Sequence, residues 1–314
     1  MICLAFVNEN PIISTKKVLY KRIQKEEQVW HYKKGLIIYL FLFLYPTQIL
    51  LAQPTIQIAN EAFLKKLLSD TAYLNQKQKI IHSINEIPKG EWGEFVKGVG
   101  TELAVSGKVV ALTFDACGGI HGDQYDSSLV QYLRKMKIPA TMFITGRWID
   151  KNYKTFMELS RDTLFEIENH GLNHRPCSVA GESVYGIKGT PDISQAYDEI
   201  EVNERKIYST TGRRPLYYRS ATAYMDEKAV VLAGKLHVTP ISYGLLSGDA
   251  VPYIAAEKIE QSVMTRIRPG AIIIMHMNHP EWNTCEALFR IIPALQKQGY
   301  AFARLKDYSV KRKK

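Results

Sequence analysis

The sequence predicts an α/β fold built on a parallel sheet, open or closed into a barrel, with a helical extension in front of it. Three observations carry this. After Gly107 short apolar runs alternate with amphipathic stretches of helical period, the pattern of successive strand–helix units. The runs are short, as buried strands are. Reactive polar residues stand directly behind them, where α/β folds bind their ligands.

The first segment, 1–52, reads as an export signal. A basic stretch ending in Lys33 and Lys34 precedes the apolar run from Gly35 to Tyr45, and Pro46 and a small-residue exit at Ala52 follow. Roughly ten apolar residues suit a signal-peptide core and fall short of the ~20 that span a bilayer. The mature chain then starts near Gln53, in the periplasm or outside the cell. An uncleaved anchor, the one route by which this chain would meet a membrane, is the other reading of the same segment. From 53 to 106 the pattern is helical and polar, with Phe63, Leu64, Leu67 and Leu68 as a short apolar stripe.

The third segment, 107–314, holds the α/β units. Val109 to Phe114 is a buried strand, and Leu129, Leu133 and Met136 lie at helical spacing behind a cap at Asp126. Thr141 to Thr145 and Leu164 to Ile167 are the next strands. A helix carrying Ile193, Ala196, Tyr197, Ile200 and Ile207 leads to the strand Leu216 to Tyr218. The stretch with His237 reads as a strand in which that histidine is structural. Tyr243 to Leu246, a helix with Ile259, Val263 and Ile267, and the run Ala271 to Met275 complete the pattern.

Composition limits the function. With 46% hydrophobic and 23% charged residues, the 314-residue chain is neither disordered nor disulfide-stapled. Its net charge of +10 sits at the ends: residues 1–34 carry +4, Lys311 to Lys314 another +4, and the 276 residues between only +2. No basic stripe is left for a nucleic acid to follow. Export sends Cys117, Cys177 and Cys285 into an oxidising compartment, where a disulfide can persist. Their spacing is not that of a zinc ribbon.

The strand ends supply the candidate site. Asp115 follows the first strand, His170 and His174 the third, Arg219 the fourth, Asp249 the run ending at Leu246, and His276 the most apolar strand. Two imidazoles four residues apart can converge on one metal ion. An aspartate at a glycine-rich strand end can act as a general base or a metal ligand. A lone Asp there more often caps a turn; six such residue types at equivalent strand ends are hard to produce by chance.

Over about 107–310 these residues resemble the polysaccharide deacetylases, the NodB-like carbohydrate esterases of family 4. The resemblance rests on Thr113-Phe114-Asp115, His170 to His174, Arg219, Ser247-Gly248-Asp249 and Ile274-Met275-His276. It implies a distorted (β/α) barrel and metal-dependent removal of acetyl groups from the N-acetylated sugars of peptidoglycan or another envelope or extracellular glycan. One divalent ion, zinc first and cobalt as an alternative, would be held by His170 and His174. Asp115 would take the proton of a water, and His276 would protonate the leaving amine. Arg219 would pair with Asp115, and Asp249 would hydrogen-bond His276.

One departure stands out. The family pattern has a second Asp that ligates the metal, and here that position is Ala116. Three completions are open: Asp115 itself coordinates; Cys117, His121 or Asp123 completes the shell; or the site binds metal weakly and has lost activity. Cys117 and Cys177 each lie just beyond a motif at the same barrel mouth, so they are expected to pair as a disulfide and leave Cys285 free. Asn278 and His279, in the segment after His276, and Tyr224 are expected to line the sugar site; Trp148, Tyr217 and Trp282 are more ordinarily core aromatics. The loop from Pro176 to Pro191 either covers the cleft or only connects. A metal-dependent deacetylase is therefore expected, and the rival reading is a carbohydrate-binding relative without turnover.

Overall fold

The structure, a computed structural model, describes residues 61–314. The proposed signal segment, Cys3 and the first part of the extension lie outside the described residues. Among the described residues no helix is long and apolar enough to cross a membrane.

Eight strands form the central sheet: β1 (Val109–Ala116), β2 (Ala140–Ile144), β3 (Phe165–Asn169), β4 (Tyr217–Tyr218), β5 (Thr239–Pro240), β6 (Leu245–Leu246), β7 (Ile272–His276) and β8 (Ala301–Phe302). Their order is β5-β4-β3-β2-β1-β7-β6, with β8 alongside the start of β1, and every pairing is parallel. The sheet curls into a barrel whose two edges, β5 and β6, are joined by the chain itself through 241–244. There Ser242 N donates to Gly100 O at 2.9 Å and Gly244 N to Ile272 O at 2.9 Å.

Strand alternation sorts the side chains of β1. Val110, Leu112, Phe114 and Ala116 face outward into the main core, which they share with Leu129, Trp148, Phe156, Ile259 and Ile291 of the surrounding helices. Ala111 faces inward with Phe143, Ile272, Leu103, Ile241 and Leu305, which plug the barrel. The same period points Asp115 inward and Ala116 away, so two adjacent residues serve opposite faces.

After Asp70 the α-helices are α1 (Thr71–Ser83), α2 (Ser127–Met136), α3 (Gly146–Lys151), α4 (Tyr153–Arg161), α5 (Ile193–Thr211), α6 (Glu227–Lys235), α7 (Ala256–Met264) and α8 (Thr284–Lys297). Asp70, Asp126, Asp192 and Asp226 cap α1, α2, α5 and α6, each accepting from a first-turn backbone N–H. A second core packs Tyr73 and Ile84 of the extension against Tyr197 and Ile200 of α5 and Leu232 of α6.

Two expectations are corrected here. The extension is helical only as far as Ser83: Trp92–Gly93 then pairs with Met225–Asp226, and Gly100–Leu103 with Val310–Arg312. Val96 and Val99 are buried in the second core and Leu103 in the barrel plug, burial that separate directions of an extended chain allow and one helix face does not. His237 lies in the turn after α6, exposed and at φ 64°, and not in a strand; the strand begins two residues later.

Glu166 and Glu168, two apart on β3, share one face of that strand. Glu166 accepts from Thr141 Oγ1 (2.7 Å), Glu168 from the backbone N–H groups of Leu216 (2.8 Å) and Tyr217 (2.6 Å). Burial, and then the neighbouring Glu166, push the Glu168 carboxyl well above the usual range. The folded chain thus keeps a proton that the unfolded chain releases above pH ~4.3. The associated stability is complete below that pH and is lost as pH rises through the folded value. Glu168→Gln, neutral at every pH, is expected to flatten this decline, which urea midpoints measured at pH 5 and pH 8 will show.

Candidate metal and acid–base site at the barrel mouth

The site is assembled at the carboxyl ends of β1, β3 and β7. Parallel pairing puts His276 beside Asp115 in register, which brings the proposed acid and base to one mouth. Asp115 is 3% exposed. Its Oδ1 accepts from Arg219 Nη1 at 2.7 Å, and its Oδ2 lies 3.6 Å from His170 Nε2. One carboxylate oxygen is therefore engaged and the other faces the imidazole.

Arg219 is fully buried, donating also to Ser242 O at 2.8 Å and stacking over the Phe143 ring at 4.1 Å. A buried guanidinium needs a countercharge, and Asp115 supplies it. His170 Nδ1 lies 2.8 Å from Arg219 O. A carbonyl can only accept, so Nδ1 carries the proton and Nε2 presents a lone pair to the mouth.

His174 sits at φ 55°, the left-handed region that non-glycine residues rarely adopt. Glu199 of α5 holds it there: one carboxylate oxygen accepts from Asn173 N (2.9 Å) and Arg175 N (3.0 Å), on either side of His174. Gly171, at φ 83°, passes over the same carboxylate, and a Cβ there would stand 2.5 Å from Glu199 Oε1. Gly171→Ala is expected to cost about 1–3 kcal/mol from backbone strain, read as a lowered urea midpoint, and to loosen the histidine pair.

The third donor is Cys117. One ligand atom each from Cys117, His170 and His174 lies within 4.8 Å of the others, with Cys117 Sγ 3.9 Å from His170 Nε2. Burial disfavours the thiolate, but His174, His170 and His276 outweigh it and hold the thiol well below its usual range. Two imidazoles and a sulfur form a donor set that fits a divalent ion such as zinc. Asp115 stands beside this set and is not one of its three donors.

His276 completes the site. Asp249 accepts from its backbone N–H (2.7 Å) and pairs with its Nδ1 (3.1 Å), and is itself held by Ser247 Oγ (2.9 Å) and Thr284 Oγ1 (3.1 Å). Burial opposes protonation of His276, but Asp249 and then Cys117 prevail and raise its pKa well above the usual histidine value. With Nδ1 taken, Nε2 is left for the cleft.

Several expectations are overturned or narrowed. Cys117 and Cys177 do not pair: all three cysteines among the described residues are free thiols. Cys177 is buried in the second core, where burial pushes its thiol up, while Cys117 turns to the histidines. Asn278 is fully buried and donates to Gly122 O at 3.0 Å, bracing the loop after β1 and not lining a sugar site. His121 is exposed, and Asp123 accepts from Gly119 N; neither joins the donor cluster. His279 stacks on Trp282 with centroids 3.7 Å apart, and Trp282 in turn meets His276 edge-on. Tyr224 packs between Trp92 and Tyr185, and Tyr185 tops the small hairpin of the 176–191 loop. Sequence reasoning missed Glu199, although its place on the apolar face of α5, three residues after Ala196 and one before Ile200, was a legible signal.

The parallel barrel thus gathers Asp115, His276 and a nitrogen–sulfur donor cluster at one mouth. Residues 103–241 match the family described as polysaccharide deacetylase. Among curated relatives, an uncharacterised protein of Bacillus subtilis is 22% identical over 59% of this chain and 53% of its own, so the chain spans about half that relative's length. A peptidoglycan-N-acetylglucosamine deacetylase of Bacillus cereus is 24% identical over 66% of this chain and 90% of its own. Two solved structures are similarly related. A mutant, with restored activity, of a family 4 pseudoenzyme known in wild-type form from Bacillus anthracis is 25% identical, with a TM-score of 0.54 over 65% of this chain and 68% of that one. A family 4 acetyl xylan esterase from Clostridium thermocellum, in complex with a cobalt ion, is 25% identical, with a TM-score of 0.52 over 64% and 89%.

Proposed function

We propose that this protein is an exported, metal-dependent deacetylase that hydrolyses the acetamido groups of an N-acetylated polysaccharide such as peptidoglycan. The observation that carries the reading is the pairing of Asp115 and His276 in adjacent strands beside the His170–His174 pair. A binding protein has no need of a base, an acid and two converging imidazoles.

His170 and His174 would hold the ion. Bound there, a divalent ion would polarise the amide carbonyl and make a water acidic enough to give up a proton near neutral pH. Asp115 Oδ2, left open by the Arg219 pairing on Oδ1, takes that proton. Arg219 fixes the plane of the carboxylate. His276, protonated and oriented by Asp249, gives a proton to the departing amine. Trp282 and His279 beside His276 offer a flat face for a sugar ring. The apolar run at 35–45 supports export, and with it a glycan substrate outside the cytoplasm.

Acetate release from N-acetylglucosamine oligomers, before and after chelation and re-addition of zinc or cobalt, tests the reading. Metal-restored release supports it; binding of the oligomer without any release favours the second reading, a sugar-binding relative without turnover. Ala116, whose side chain lies in the core, is the observation on that side.

A further inference from the structure

Cys117 is the one group at the mouth to which the hydrolytic reading gives no task. The backbone there is heavily fixed. Cys117 O accepts from Thr145 Oγ1 and from Arg147 Nε, both at 2.9 Å. Gly118 follows at φ 68°, so close to α3 that a Cβ would stand 2.8 Å from Trp148 N. This turn aims Sγ back at the histidines, 3.9 Å from His170 Nε2 and within 4.8 Å of the donor atom of His174 as well. His170 already presents Nε2, because its Nδ1 is committed to Arg219 O. His174 is kept in place by the Glu199 bracket.

We propose that Cys117 is a ligand of the ion, so that one sulfur and two imidazoles hold it and the site selects thiophilic ions, zinc or cobalt, over magnesium and manganese. Ligation breaks the S–H bond, forms a metal–sulfur bond and releases one proton to solvent. Thiolate and imidazole suit borderline-soft ions, whereas magnesium and manganese prefer oxygen. Three protein donors leave a fourth position for water, the arrangement of catalytic zinc sites. A sulfur ligand also leaves Asp115 outside the coordination shell with Oδ2 free. The inference rests on the reading of this mouth as a metal site for deacetylation.

Cobalt titrated into the metal-free full chain tests it without reference to turnover. One cobalt per chain with a near-ultraviolet sulfur-to-cobalt charge-transfer band is expected. Cys117→Ser should abolish the band and weaken cobalt binding by more than the ~10–100-fold that loss of an outer partner costs; Cys117→Asp should abolish the band and admit manganese. Cobalt bound without the band overturns the sulfur ligand and leaves the deacetylase reading standing. The band without acetate release from N-acetylglucosamine oligomers overturns the deacetylase reading and leaves the ligand standing. Should the variants fail to fold, alkylation of the wild type decides: zinc is expected to protect Cys117 from iodoacetamide and magnesium is not, with the half-buried Cys285 as internal reference. Equal labelling of Cys117 with and without zinc overturns the proposal.

Discussion

Asp115→Asn is expected to lower acetate release by about 10²–10⁴-fold, the range that a positioned general base contributes, with little change in substrate affinity. The substitution keeps size and shape, and an amide oxygen still accepts from Arg219 Nη1. It cannot take a proton at Oδ2, the position facing His170. It also withdraws the countercharge from a guanidinium that is fully buried over Phe143, so a lower melting temperature should accompany the lost turnover. Circular dichroism at the assay temperature separates the two effects. A folded variant with wild-type turnover would show that Asp115 serves only as the partner of Arg219.

His276→Ala should cost a comparable factor on an amide substrate, and the choice of substrate shows why. An amine leaves only if it receives a proton, whereas a nitrophenolate leaves without one. If His276 is the acid, turnover of an N-acetylated sugar falls by about 10²–10⁴-fold while turnover of nitrophenyl acetate falls far less. Equal losses on both substrates would assign His276 to positioning or metal binding. Asp249→Asn should reproduce a milder form of the same split, since Asp249 fixes the ring through Nδ1 and the backbone N–H and is itself held by Ser247 and Thr284. The pseudoenzyme among the related structures makes such measurements decisive, because a shared barrel does not settle turnover.

The polar residues at the strand ends were legible because their chemistry is local. Asp115, His170, His174, Arg219, Asp249 and His276 each follow an apolar run, and the structure brings all six to one mouth. The cysteines were not legible. Sequence position and redox compartment suggest a Cys117–Cys177 pair, but which way a thiol faces is decided by the turn at Gly118 and by the core that closes over Cys177. Asn278 misled for a similar reason: it follows a site histidine, yet the next turn sends its side chain to Gly122 O.

Apolar runs of strand length, helical periods and caps are properties of neighbouring residues, and so the sequence by itself determined the alternation of strands and helices, the parallel sheet and the reactive residues at its ends. Tertiary structure alone decided the distances among residues far apart in the chain. Parallel register set Asp115 beside His276, the carboxylate of Glu199 held the loop of His174, and the turn after β1 gave Cys117, in place of Asp115 or Ala116, to the histidine pair. Each of these depends on a contact between separate elements, which strand alternation and turn geometry aim but which no local pattern of residues records.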